Sequence, residues 1–269
     1  MSLKQSIPLK SLRNARELGG YYTADGRMIK KGVLLRTAKL NGISGEDIRT
    51  LEDVYRLQHI IDFRMPMELK GDDYPKISGA EYSRLDVLDF SEMSGGDTPD
   101  IDINSLDIID ITKLTLSSGM LGDDMYIGFL MPDYGKKAYS RFFRILLDAN
   151  PDRAVLWHCT SGKDRTGLAA MLLLSALGVD EEAVISDYAL TNEYNSARIA
   201  RTEQYLKAKG CDDAFISKAL LVFDMVDERI LRTAINYLKE KYGSVTGYIR
   251  GGLNISDEEI NSLKEKYLI

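Results

Sequence analysis

Residues 154–178 constrain this chain more than any other stretch. A short apolar run, Ala154 to Trp157, leads into the polar turn HCTSGKDR and straight out into TGLAAMLLLSALG. An apolar run that brief reads as a buried strand, and a helix that is apolar on nearly every side must lie in the middle of a core. The polar turn is therefore held between a buried strand and the first turn of a buried helix. Gly162 gives it the freedom to turn tightly, and such a turn points successive backbone N–H groups inward while the helix dipole adds positive potential at the same spot. The expected product is a cradle for a dianion, built from Thr160, Ser161, Gly162 and Lys163.

Two side chains turn a cradle into a reactive site. In that field a thiol gives up its proton readily, so Cys159 is expected as a thiolate, the nucleophilic form. Arg165 offers a planar fork that can hold two phosphoryl oxygens and follow them as phosphorus becomes trigonal. Together they suit attack on a phosphomonoester. Thr166 is placed to donate its hydroxyl to the cysteine sulfur, and His158 to sit beneath the loop and hold its turn. An inert buried thiol is the common fate of a cysteine at a strand end, but it does not explain a glycine, a lysine and an arginine gathered beside it. A nucleotide-binding Walker loop would need Ser or Thr after Gly-Lys and a Gly where Trp157 stands. A sulfurtransferase loop of the rhodanese type has one residue fewer between Cys and Arg than the five found here.

The rest of the chain supplies the frame. Apolar runs at Val33 to Leu35 and at 59–64 (HIIDFR), and a weaker alternation at 81–88 (EYSRLDVL), read as further strands, with a hairpin over Gly19-Gly20 and Asp25-Gly26 feeding the first. Helical spacing runs from an N-cap at Ser44 to about Arg56, over 136–147, and through a tail of helices at 181–193, 196–209, 212–220 and 227–242, with a last helix behind a Ser256–Glu259 capping box. Strands separated by helices argue an α/β sheet, one face of it covered by the helical tail. Residues 89–125, rich in Asp, Ser and Gly, are too short for a core of their own and read as an insertion or lid.

With 35 Lys and Arg against 41 Asp and Glu, the net charge is −6, which argues against a nucleic-acid partner and leaves room for a local anion site. Two cysteines, Cys159 and Cys211, exclude a disulfide scaffold and suit a reducing, cytoplasmic setting. Cys211 reads as a bystander thiol, and two dispersed histidines, His59 and His158, leave no zinc site. No signal-peptide core opens the sequence, and the apolar run from Leu168 to Leu177 is too short to span a bilayer; export by a route that reads no such signal stays open. The oligomeric state is not readable.

The loop HCTSGKDRTG resembles the signature of the protein tyrosine phosphatase superfamily. Its Lys-Asp-Arg-Thr ending is similar to the bacterial and fungal tyrosine/serine phosphatase family, whose members include secreted mycobacterial and Listeria enzymes. RNARELGGYYTADGRMIKKGVLLRTAKL, DFRMPME, DYALTNEYN and YGSVTGYIRGGLNIS resemble recurring segments of that family, so only residues 89–125 stand outside the resemblance. It implies one phosphatase domain over 1–269, a four- to five-stranded, mostly parallel central sheet flanked by helices, and a helical C-terminal part. It also implies no metal or cofactor, and activity on phosphotyrosine in proteins that can extend to phosphoserine, phosphothreonine and phosphoinositides. Cys159 carries over as nucleophile and Arg165 as phosphate binder; Lys163 and Asp164 match a loop pair associated with phosphoinositide tolerance.

The leaving oxygen needs a proton donor. Asp164 matches the family's in-loop aspartate and ranks first. The wider superfamily uses a Trp-Pro-Asp loop; the chain's one Trp is Trp157, but Met131-Pro132-Asp133 has the same cadence, which ranks Asp133 second. Asp86 and Asp89 come third. Arg36, Asp62 and Arg64 read as a structural ion-pair network, outside catalysis. A phosphate-binding module that has lost turnover is the reading from a different class; the intact Cys159, Asp164 and Arg165 speak against it.

Overall fold

The computed structural model describes residues 5–69, 74–88, 106–119 and 121–269. Among the described residues five strands form one sheet: β1 (Arg16–Glu17), β2 (Leu34–Thr37), β3 (His59–Asp62), β4 (Glu81–Arg84) and β5 (Val155–His158). Their order is β1-β2-β5-β3-β4, with β1 antiparallel to β2 and every other pair parallel. Register aligns Thr37 and Asp62 on either side of His158, so the turn that leaves β5 starts level with the carboxyl ends of β2 and β3. That crevice is where open parallel sheets place their sites.

Alternation along the strands builds a core on each face of the sheet. Leu34, Ile61, Val155 and Trp157 point into the larger one, and Leu35, Ile60 and Leu156 into the smaller. Both faces are covered, which is why these strands read as continuous apolar runs. The smaller core is closed by the N-terminal segment, through Ile7, Leu9 and Leu12, and by α1 (Gly45–Arg49) with the π-helical turn that continues it over Thr50–Val54. Ser44 caps α1 as its position predicts. The widened turn then exhausts the helix, and Arg56 adopts a left-handed φ of 47°.

Helices occupy the other face. The described part of the insertion contains α2 (Ile108–Ser117), capped by the Asp107 carboxylate, and ends in α3 (Met125–Leu130). The apolar triplets here look irregular in sequence, yet Ile108 and Ile109 pack with Leu206, Ile216 and Leu220 in a small separate core. Residues 89–105 and 120 of the insertion, Asp89 among them, lie outside the described residues. Next come α4 (Asp133–Asp148) and the central α5 (Asp164–Leu177), which stops at Gly178 with φ 89°, then α6 (Glu181–Tyr194), α7 (Ser196–Ala208), α8 (Asp213–Phe223) and α9 (Glu228–Tyr242).

The chain closes with α10 (Val245–Gly251) and α11 (Asp257–Tyr267), the latter behind the predicted Ser256–Glu259 capping box. Helix α10 is hidden in sequence by its glycines. Gly247 sits inside it because a Cβ there would lie 2.0 Å from the Tyr242 carbonyl oxygen. The last helices pack on α5 and α4, and Leu268 pairs with Ile29, so the tail is bound to the hairpin at the start of the chain. Among the described residues no helix is long and apolar enough to cross a membrane.

Candidate active site

The loop from Cys159 to Arg165 folds so that its carbonyls are taken and its amides are not. Lys39 N–H donates to the Thr160 carbonyl at 3.3 Å. Asn14 Nδ2 donates to the carbonyls of Ser161 (3.4 Å) and Gly162 (2.8 Å), and Arg36 Nη2 donates to Gly162 at 3.1 Å. The amide hydrogens of Thr160, Ser161, Gly162 and Lys163 have no partner among the described residues. Helix α5 begins at Asp164 with no side-chain cap, so its first amides add to the same ring of donors. Gly162 is required twice over. Its φ is 66°, and a Cβ would lie 2.3 Å from the Thr37 carbonyl oxygen.

A buried ion cluster holds the outer side of this loop. Asp187, from α6, takes Arg36 Nη1 at 2.6 Å and Arg16 Nε at 3.3 Å, all three side chains being essentially excluded from solvent. Burial raises the Asp187 carboxyl, and the two arginines overcome that and lower it. Arg16 also bonds the Asn14 side chain, whose backbone has a left-handed φ of 52°. The cluster thus connects β1, β2 and α6 to the Gly162 carbonyl. Arg36 belongs to this support, as its sequence reading expects, and Asp62 with Arg64 forms a second buried pair, Nε to carboxylate at 3.0 Å.

His158 lies beneath the loop, wholly buried, with Nδ1 3.1 Å from the Cys159 carbonyl and 3.7 Å from Asp62. A carbonyl only accepts, so Nδ1 carries the proton. Burial lowers the imidazole's affinity for a second proton, against the pull of Asp62, and the ring is neutral near pH 7. Cys159 is buried at the end of β5. Trp157 Nε1 donates to the Thr166 carbonyl at 3.2 Å, and the Tyr139 hydroxyl to that of Arg165 at 3.2 Å. These bonds lock the strand and α4 to the first turn of α5.

Arg165 faces a carboxylate that its sequence context does not announce. Glu68, on a 3₁₀ turn over Pro66–Leu69, accepts from Nη1 at 2.5 Å and from Nη2 at 2.8 Å, and also from the Thr160 hydroxyl at 2.5 Å. Burial raises Glu68, but the charge and hydrogen bonds of Arg165 outweigh it and hold the carboxyl at about 2. The same carboxylate pushes Arg165 above its ordinary value against the cost of burial. Arg165 is therefore fixed by its Nη1/Nη2 edge, and its Nε edge has no partner among the described residues.

The remaining expected residues divide. Asp164 stands at the start of α5, with Oδ1 2.7 Å from the Tyr126 hydroxyl and Oδ2 3.4 Å from Lys163 Nζ. Lys163 does not aim its charge at the cradle. Its buried ammonium donates to the carbonyls of Leu221 (2.5 Å) and Met225 (3.1 Å), tying the end of α8 to the loop and leaving its backbone amide, not its charge, open there. The Thr166 hydroxyl is buried without a hydrogen-bond partner among the described residues, so no bond to the cysteine sulfur forms here. Asp133 points away: its carboxylate is 89% exposed, and its neighbours are Lys136 and the side chains along the outer face of α4. Cys211 is half-buried and unpaired, and no three His, Cys, Asp or Glu side chains gather as a metal site among the described residues.

Asn14, Glu68, Tyr126, Asp187 and Tyr188 are the residues that spacing alone does not mark. Their signal was indirect, since Asn14, Glu68, Asp187 and Tyr188 fall within RNARELGG, DFRMPME and DYALTNEYN.

The profile of the tyrosine phosphatase family matches residues 7–269. A Cupriavidus necator protein with the provisional name tyrosine-protein phosphatase is 26% identical, the match covering 98% of this chain and 89% of that one. The triple specificity protein phosphatase PtpB of Mycobacterium tuberculosis is 28% identical over 52% of each chain. A tyrosine-protein phosphatase of Nostoc commune is 27% identical over 62% of this chain and 50% of its own. The chain belongs to the tyrosine phosphatase family.

Proposed function

We propose that this protein hydrolyses phosphomonoesters through a phosphocysteine, with phosphotyrosine in proteins as its main substrate. The observation that carries the reading is the ring of amides, unpartnered among the described residues, at the start of α5, closed by Arg165 and set around Cys159. Three equatorial oxygens of a phosphoryl group would accept from the amides of residues 160–163 and from the free Nε edge of Arg165. The Cys159 sulfur then attacks phosphorus, the P–O ester bond breaks, and its electron pair leaves on the ester oxygen, which takes a proton from Asp164. In the second step Asp164 accepts a proton from water as that oxygen attacks phosphorus. The S–P bond breaks, its electrons return to sulfur, and inorganic phosphate is released. Glu68 keeps Arg165 aligned throughout.

Asp164 is favoured as the donor because it lies in the loop itself, whereas Asp133 faces solvent on α4. Asp164→Asn is expected to lower kcat about 10²-fold on phenyl phosphate and far less on 2,4-dinitrophenyl phosphate, whose leaving group needs no proton. Asp133→Asn and Asp89→Asn serve as comparators. A flat response of Asp164→Asn across leaving groups would refute the assignment.

The relative named a triple specificity phosphatase supports a range beyond phosphotyrosine, and phosphoserine and phosphothreonine are the first extension. Engagement of the Lys163 ammonium with two carbonyls weakens the phosphoinositide reading, since that charge is not offered to a headgroup. A panel of phosphopeptides and soluble phosphoinositides decides the order. We read residues 1–269 as one phosphatase domain, with 89–125 as an insertion in it, working where a thiol stays reduced.

A further inference from the structure

Tyr126 comes from α3, the helix in which the insertion ends, and it is wholly buried. Its hydroxyl lies 2.7 Å from Asp164 Oδ1 and 2.6 Å from the Tyr188 hydroxyl, and the two rings meet edge to face at 6.0 Å. Tyr188 can stand there because position 167 is glycine; a Cβ would lie 3.1 Å from its ring. Burial raises both phenols well above their ordinary value, with the Asp164 charge adding to it, so each keeps its proton. Tyr126 spends its one hydroxyl proton on Oδ1, which sets the direction of the chain: Tyr188 donates to Tyr126, and Tyr126 donates to Oδ1.

That direction leaves Oδ2 as the oxygen able to carry a proton. Its neighbour is Lys163 Nζ at 3.4 Å, an ammonium already anchored on Leu221 and Met225. Without the tyrosine, the half-buried Asp164 side chain would keep, among the described residues, only that one long contact to choose its rotamer.

We infer that Tyr126, backed by Tyr188, is a positioning residue that fixes the Asp164 carboxyl so that Oδ2 faces the leaving oxygen. The inference rests on the reading of Asp164 as proton donor. It assigns a task to the segment that follows the insertion: delivering one hydroxyl to the reacting acid. Tyr126 touches neither substrate nor phosphorus, so its loss should be felt only where proton transfer limits the rate.

The test is a series of aryl phosphates, from 2,4-dinitrophenyl to phenyl phosphate, assayed with wild type, Tyr126→Phe, Asp164→Asn and the double variant. Tyr126→Phe should lose about tenfold or more in kcat on phenyl phosphate and less than about threefold on the dinitrophenyl ester, and change kcat by less than about twofold once Asp164 is Asn. Tyr188→Phe, which keeps the bond to Asp164 and removes its support, should follow the same pattern more weakly, and it stands in if Tyr126→Phe does not fold. An equal loss on all esters, or an additive loss in the double variant, would overturn the positioning role while Asp164 keeps its own. A flat leaving-group response for Asp164→Asn itself would overturn both.

Discussion

Replacement of Cys159 by serine is expected to abolish hydrolysis of p-nitrophenyl phosphate, a loss of at least about 10³-fold, with little change in affinity for inorganic phosphate. The two halves of that expectation come from different atoms. In the proposed mechanism phosphate is held by the amides of residues 160–163, by the start of α5 and by Arg165, none of which changes. Chemistry needs an anionic nucleophile at position 159, and a hydroxyl is a far weaker acid than a thiol. Neither of two charged or titratable neighbours among the described residues can compensate. His158 is neutral but spends Nδ1–H on the Cys159 carbonyl, and Glu68 is committed to Arg165 and Thr160. Steady-state rates with phosphate as a competitive inhibitor measure both halves. Residual turnover within tenfold of wild type would remove Cys159 from the mechanism.

Substitution of Asp187 by Asn should be the most damaging change outside the loop. It leaves Arg16 and Arg36 buried with no opposing charge, a situation that typically costs about 3–5 kcal/mol. For a chain of this size that corresponds to a melting temperature lower by about 6–20 °C. Activity should fall with it, because Arg36 and the Arg16–Asn14 pair hold the Gly162 carbonyl away from the cradle. The pH dependence has a definite sign. A carboxyl depressed in the folded state stabilises above its unfolded value and loses that stabilisation as pH falls through the depressed one, so the gap between wild type and variant should close toward acid. Thermal melts across pH read this directly, and a melting temperature within about 2 °C of wild type at pH 7 would contradict the role given to the cluster.

Much of the site was legible because local constraints coincide in one stretch. Strand, turn and buried helix over 154–178 follow from hydrophobic patterning, and Gly162 within them from the turn that patterning demands. Strands β2, β3 and β5 were legible for the same reason, since each is an apolar run with both faces covered, whereas β4 is largely exposed and showed only a weaker alternation. What spacing hid was set by distance through space. Glu68 lies 97 positions from Arg165, and Asp187 lies 171 from Arg16, so no periodicity joins them. Lys163 shows the opposite failure. Its position in the loop suggests a phosphate contact, but a long flexible side chain at a helix start can reach carbonyls of another helix end, and here it does. Helix α10 was hidden because glycine usually breaks helices, whereas Gly247 permits a close backbone approach.

The central claim is that phosphorus passes through the Cys159 sulfur, and trapping tests it most directly. Wild type turning over p-nitrophenyl phosphate, quenched in acid within milliseconds and digested, should carry a phosphoryl group on the peptide containing Cys159, and Cys159→Ser should carry none. Turnover by wild type with the phosphoryl group on another residue, or with no phosphoenzyme at any quench time, would contradict the account.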